Sequence, residues 1–140
     1  MTTTTADTTA DPDADYRSRC PLASALDLLG DKWTLIIVRD MIAGKRRYGE
    51  FLSSPERIPS NILAGRLRRL DDAGIVNKRL YQENPPRHEY LLTRKGAELL
   101  PVLQQLAAWG HRHLPGRWAP PAWFFEATPE DLCGAGMPRG

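Results

Sequence analysis

The sequence predicts a mainly helical domain carrying one small β-hairpin, and three observations lead there. Apolar residues recur at helical spacing in five stretches, each bounded by Gly, Pro or a capping residue. Only residues 75–92 change to the alternation expected of strands, around a polar loop that contains proline. That hairpin follows a basic amphipathic helix, which itself follows a shorter helix and a proline-punctuated turn. With 140 residues, 41% of them hydrophobic, the chain has room for one domain with tails.

Residues 1–16 are mostly Thr, Ala and Asp with little to bury, so this acidic amino-terminal tail is expected to be disordered. The domain is expected over residues 20–118. It opens with CPLASALDLLG, where Pro21 suits a first helical position, Leu22, Ala25, Leu26 and Leu29 share a face, and Gly30 closes the run. Asp31 is placed to cap a second helix, KWTLIIVRDMIAG, stopped by Gly44. Eight of the eleven residues from Trp33 to Ala43 are apolar and lie all round that helix, which assigns it to the middle of the core.

Lys45-Arg46-Arg47 then leads into a two-turn helix, YGEFL, with Tyr48, Phe51 and Leu52 on one face. Ser53 to Pro59 is the turn. The next helix, from Ser60, ends at Gly74 and is expected to take Ser60 as its N-cap. Strands are expected at Ile75–Tyr81 and His88–Leu92, with Gln82 to Arg87 as the loop. Thr93 can cap a last helix whose apolar side is Ala97, Leu100, Leu103, Leu106, Ala107 and Trp109. Pro101 lies inside it and removes a backbone hydrogen bond, so a kink or break is expected there. Residues 119–140 make a carboxyl-terminal tail of Pro, Gly and aromatic residues.

A short helix, a tight turn and a basic helix form a helix-turn-helix, and a hairpin directly after it is a wing. At about 100° per residue, Leu63, Leu67 and Leu70 fall on one stripe, while Asn61, Gly65, Arg68 and Arg69 fall opposite. That polar face suits a DNA major groove, where Asn and Arg pair with base edges in bidentate fashion. Ser60 and Asn61 begin the helix, where base contacts concentrate; Ser60 is equally a cap. Gly65, costing ~1 kcal/mol against Ala in a helix interior, lets DNA approach the backbone. Arg68 and Arg69 are expected at phosphate or guanine, Lys45, Arg46 and Arg47 at the DNA backbone, and Arg87 at the wing tip, with Lys78 and Arg79 as secondary candidates. Arg66, beside the leucine seam, fits either DNA or a structural ion pair.

The net charge of +2 conceals a division. Asp7, Asp11, Asp13 and Asp15 lie in the tail, and without them the balance is +6. Between Lys45 and Lys95 there are 12 basic and 6 acidic residues, which favours a polyanionic partner. Cys20 and Cys133 form no framework and no CxxC pair, so neither a disulfide scaffold nor zinc is expected. His111 and His113 diverge on a helix and are read as solvated. No phosphate loop, dinucleotide fingerprint, HExxH or nucleophile elbow is present, so neither catalysis nor a cofactor is expected. No apolar run approaches a membrane span and no secretory leader is visible, which makes the cytoplasm the default location.

Taken together, CPLASALDLLGDKWTLIIVRDM, YGEFL and IPSNILAGRLRRLDDAGIVNKRLYQENPPRHEYLLTRKGAELLPVLQQLAAWG resemble the HxlR-type group of bacterial transcription regulators, relatives of the MarR group. The cysteine-proline opening, GDKW, RLRRL and PPRHEY in one order carry the resemblance, from Cys20 to about Leu114. It implies a homodimer joined through its terminal helices on a palindromic double-stranded operator, acting as a transcriptional regulator in the manner of a repressor. It also implies that Cys20, where some members sense oxidants or electrophiles, is a candidate redox sensor; a small-molecule effector is the other option. Cys20 follows Arg17 and Arg19 and opens a helix, two features that stabilise an anionic sulfur. The strip of Leu100, Leu103, Leu106 and Trp109 is the expected dimer seam, with Leu22 and Leu26 of the first helix as the alternative. A winged helix that docks proteins rather than DNA is the rival reading, and the two tails lie outside the resemblance.

Overall fold

A computed structural model describes residues 16–133, so the acidic tail, except for Tyr16, and the last residues after Cys133 lie outside the described part. The order is α1 (Pro21–Leu29), α2 (Thr34–Ile42), α3 (Tyr48–Leu52), α4 (Ser60–Asp72), β1 (Val76–Glu83), β2 (Pro86–Leu92), α5 (Arg94–Ala97), α6 (Leu100–His113), α7 (Ala122–Glu126) and α8 (Pro129–Cys133). β1 and β2 pair antiparallel as the wing.

The core forms around α2, as its all-round apolar surface requires. Ile37, Val38, Met41 and Ile42 are buried against Phe51 of α3, Leu63, Leu67 and Leu70 of α4, and Leu100 and Leu103 of α6. Burying each large aliphatic side chain is worth roughly 1.5–3 kcal/mol, so the leucine seam fixes the rotation of α4 about its own axis. The polar face of α4 is thereby turned outward.

Local signals set the ends of the elements. After α4, Ala73 is followed by Gly74 at φ 76°; the Gly74 amide donates to the Asp71 carbonyl and the Ile75 amide to that of Leu70. Only glycine takes that left-handed position without strain, and the buried Ile75 and Leu70 complete the motif. Asp31 accepts hydrogen bonds from the Trp33 and Thr34 amides at the start of α2, although the N-cap position itself falls to Trp33 rather than to Asp31. Ser60 does not cap α4: Pro59 occupies that position, and Ser60 is the first helical residue. Proline at this point already holds the extended backbone that a cap needs.

The hairpin is longer than its sequence pattern suggests. Gln82, Glu83, Pro86 and Arg87 also pair in the ladder, leaving Asn84-Pro85 as the turn. The register shifts between Leu80 and Gln82, so Tyr81 is the extra residue of a bulge. Arg47 adds a bridge to Glu89, and the Tyr90 amide donates to the Arg46 carbonyl at 2.8 Å, tying the chain before α3 to the wing.

The last helix does break near Pro101. α5 ends at Ala97, and α6 begins at Leu100 with the proline in its first turn, where a missing amide costs nothing. Within α5, a Cβ on Gly96 would meet the Ile75 carbonyl at 2.2 Å, so only glycine allows this packing.

Two expectations are corrected here. Leu100 and Leu103 lie in the monomer's own core, while Leu106 and Trp109 are 56% and 54% exposed, so the expected dimer strip divides. The carboxyl-terminal stretch is also more than a tail. α7 and α8 pack back, burying Phe124 and Leu132, and the Gln104 amide donates to the Phe124 and Ala127 carbonyls at 2.9 Å each. Spaced aromatics between prolines give no periodicity to read, which hid these two short helices.

Candidate nucleic-acid interface

The open face of α4 is small, polar and basic. Asn61 and Arg68 are exposed and make no hydrogen bond or salt bridge among the described residues. Between them Gly65 has nothing within 4 Å of where a Cβ would stand, so a second molecule can come close to the helix backbone. Ser60 is fixed from behind: the Tyr48 hydroxyl donates to its carbonyl at 2.5 Å and lies 3.0 Å from its Oγ. That bond ties α3 to the first turn of α4.

A cleft of about 150 Å³ separates α4 from the wing, lined by Tyr48, Ala64, Leu67, Arg68, Asp71, Lys78 and Tyr90. Burial, reinforced by the nearby Asp71 carboxylate, pushes the Tyr90 phenol up, so it remains a neutral hydrogen-bonding group. A second cleft of about 300 Å³ runs between the amino end of α3 and the wing, lined by Arg47, Tyr48, Gly49, Tyr81, Pro86, Arg87, His88 and Tyr90. Arg87 is exposed there without an internal partner among the described residues, although it sits in the β2 ladder opposite Gln82 rather than at the loop tip.

Other cations expected at DNA also have partners within the fold. Arg69 extends to the carboxyl end of α1, donating to the Leu28 carbonyl at 3.0 Å, where a cation meets the negative end of that helix. Arg66 donates to Asp31 at 2.9 Å, resolving its two readings in favour of the ion pair. Burial works to raise the Asp31 pKa, but hydrogen bonds from Thr34, Arg66 and the Trp33 amide together hold it at about 2. Lys45 donates to Ser54 at 2.7 Å and faces Asp40 at 4.0 Å. Arg46 is half-buried beside the wing, with Glu50 accepting from its amide at 2.8 Å. Glu89 takes salt bridges from Arg47 at 3.2 Å and Arg79 at 2.9 Å, while the Arg47 guanidinium lies 3.8 Å from the Tyr81 ring centroid. Hydrogen bonds from Arg79, foremost, and from Arg47 hold the Glu89 carboxyl below its usual range, while the Arg46 amide, foremost, and the Arg47 amide do the same for Glu50.

Two groups here were not marked out by sequence pattern. Tyr48, placed on one face of the short helix, and Tyr90, placed within a strand, both line the clefts beside α4. Arg39, Asp40, Ser54 and Glu56 join the turn between α3 and α4 to α2, with Arg39 forming a bidentate pair to Glu56 at 2.8 Å for both bonds. A buried aspartate at a helix position surrounded by apolar residues was the available signal.

Cys20 is exposed and is the N-cap of α1, its Sγ accepting from the Ala23 amide at 3.5 Å. Arg17 pairs with Asp27, so its charge is shared with a carboxylate. Among the described residues no cluster of His, Cys, Asp or Glu could hold a metal, and no helix is long and apolar enough to cross a membrane.

Known proteins share this arrangement. A family model described as HxlR-like helix-turn-helix matches residues 28–117. An HTH-type transcriptional regulator of Synechocystis (sll1512) is 40% identical over 94 residues, covering 67% of this chain and 70% of that protein. The redox regulator HypR in its reduced form superposes with a TM-score of 0.63 at 36% identity, over 69% of this chain and 95% of the other. Reduced YodB, a transcriptional regulator from Bacillus subtilis, gives 0.58 at 31% identity, over 72% and 100%. α7 and α8 lie beyond the matched family segment. With the two-helix reading unit, the wing and the outward basic face in place, the chain belongs to the HxlR-like helix-turn-helix family of transcriptional regulators.

Proposed function

We propose that this protein is a cytoplasmic, homodimeric repressor that binds a palindromic operator, with α4 in the major groove and the wing along the backbone. One observation carries the reading: Asn61, Gly65 and Arg68 form an open strip on α4, free of internal bonds, beside a wing that presents Lys78 and Arg87. Asn61 and Arg68 have the chemistry to read base edges, while Arg87 meets phosphate. Ser60, Arg46, Lys45 and Arg69 act behind them as supports. Leu22 and Leu26, 68% and 51% exposed on α1, together with Val102, Leu106 and Trp109 on α6, supply the apolar faces for the second copy.

Footprinting on the DNA upstream of the chain's own gene tests the reading. A protected two-fold site with half-sites about one helical turn apart is expected. Affinity should fall steeply with salt, because several phosphates are neutralised per half-site. A flat salt dependence, or no protected site, overturns the proposal.

An oxidant response through Cys20 is the second reading, favoured by its exposure at the start of α1, one of the two proposed dimer helices. HypR, one of the similar proteins, is a redox regulator. Diamide should change operator affinity of the wild type and leave Cys20→Ser unchanged; a response that survives in Cys20→Ser removes the cysteine from the account.

A further inference from the structure

Arg57 stands in the turn between α3 and α4, three residues before Ser60, and has φ 60°. Among the described residues it is the one non-glycine with positive φ. A left-handed backbone is costly for an arginine, and such a conformation persists only where the surroundings over-determine it. Here they do. The Arg57 amide donates to the Ser54 carbonyl at 3.0 Å, and the Ser54 hydroxyl donates to the buried Asp40 carboxylate. The preceding Glu56 is held by both guanidinium nitrogens of Arg39. The following Ile58 is buried in the core. The turn is therefore clamped on both sides of Arg57, while the arginine itself is exposed and its guanidinium has no hydrogen bond or salt bridge among the described residues.

Glycine would fit that backbone without strain, so the structure tolerates a cation where none is needed for folding. Its place in the turn three residues ahead of Ser60, at the entry of α4, indicates what the cation meets. We propose that Arg57 is a phosphate-contacting residue of the DNA interface, presented by the strained turn, that fixes the entry of α4 into the groove without reading sequence. The inference rests on the DNA-binding reading above.

The test uses the full chain and a duplex of arbitrary sequence at low salt, since a phosphate contact is independent of sequence. Wild type, Arg57→Gly and Arg57→Lys are compared for duplex affinity across a salt series and for melting temperature. Arg57→Gly should bind about 3- to 10-fold more weakly, with the slope of log affinity against log salt smaller by about 1 per protomer. Its melting temperature should not fall, because glycine relieves the left-handed residue. Arg57→Lys should keep affinity within about 3-fold of wild type by retaining the charge. An Arg57→Gly protein with wild-type affinity and slope overturns the inference while leaving the DNA-binding reading intact. A loss of affinity accompanied by a lower melting temperature, and not rescued by lysine, overturns it as well, by making Arg57 structural. A wild-type chain that binds no duplex at low salt refutes both readings together.

Discussion

At the scale of single residues, two arginines separated by one helical step have different work. Arg68 is free at the surface of α4, whereas Arg69 bonds to the end of α1. Arg68→Ala and Asn61→Ala should each weaken operator binding by ~1–3 kcal/mol per half-site with the melting temperature unchanged. Arg69→Ala should do the reverse, lowering the melting temperature first; gel-shift titration beside thermal melting separates the cases. Asp31 gives a pH signature. Its carboxyl, held at about 2 against an ordinary 3.8, binds its proton more weakly in the folded chain than in the unfolded one. The stabilisation is therefore complete above about pH 4 and is lost as pH falls towards 2. Solvent screening keeps the Arg66 share to about 1 kcal/mol, so Arg66→Ala should cost that at pH 7 and progressively less in this acid window. Equal costs at pH 7 and pH 2.5 in urea titrations would remove the ion pair as the cause.

The elements divide their apolar surface between the monomer and a second copy. α6 turns Leu100 and Leu103 inward, while Val102, Leu106 and Trp109 form a stripe on the opposite side at helical spacing. α1 likewise buries Leu29 and exposes Leu22 and Leu26. Leu106→Glu should convert the proposed dimer to monomer in sedimentation, with little effect on monomer stability, since the side chain is already half in water. A protein that remains dimeric moves the seam away from α6. Deleting the helix is no substitute for this test, because Leu100 and Leu103 would leave the core with it.

For the molecule as a whole, the carboxyl-terminal segment completes the core rather than trailing from it. Phe124 and Leu132 are buried, α8 packs on α5, and Arg94 reaches Glu130 at 3.0 Å. Phe124→Ala should destabilise the chain by ~3–5 kcal/mol in urea unfolding, a large part of the stability of a domain of this size. Duplex binding by the folded fraction should be unaffected, because α7 lies outside the helix-turn-helix and wing. Loss below ~1 kcal/mol would mean that α7 is dispensable to the fold.

The sequence by itself determined the order of elements from α1 to the wing, the family, and the rotation of α4. Those follow from local periodicity and from end signals such as Gly74, Asp31 and Thr93, which act over one or two turns. The tertiary structure alone decided which cations are free. Periodicity places Arg66, Arg68 and Arg69 only by angle on one helix, whereas the partners of Arg66 and Arg69, Asp31 and the Leu28 carbonyl, lie more than 30 residues away in the chain. It also decided that Lys45 turns to Ser54, that Leu100 belongs to the monomer, and that the aromatic end folds back over α6. A side chain's options are set by its own chemistry, but its partner is set by what the folded chain brings within about 3 Å of it.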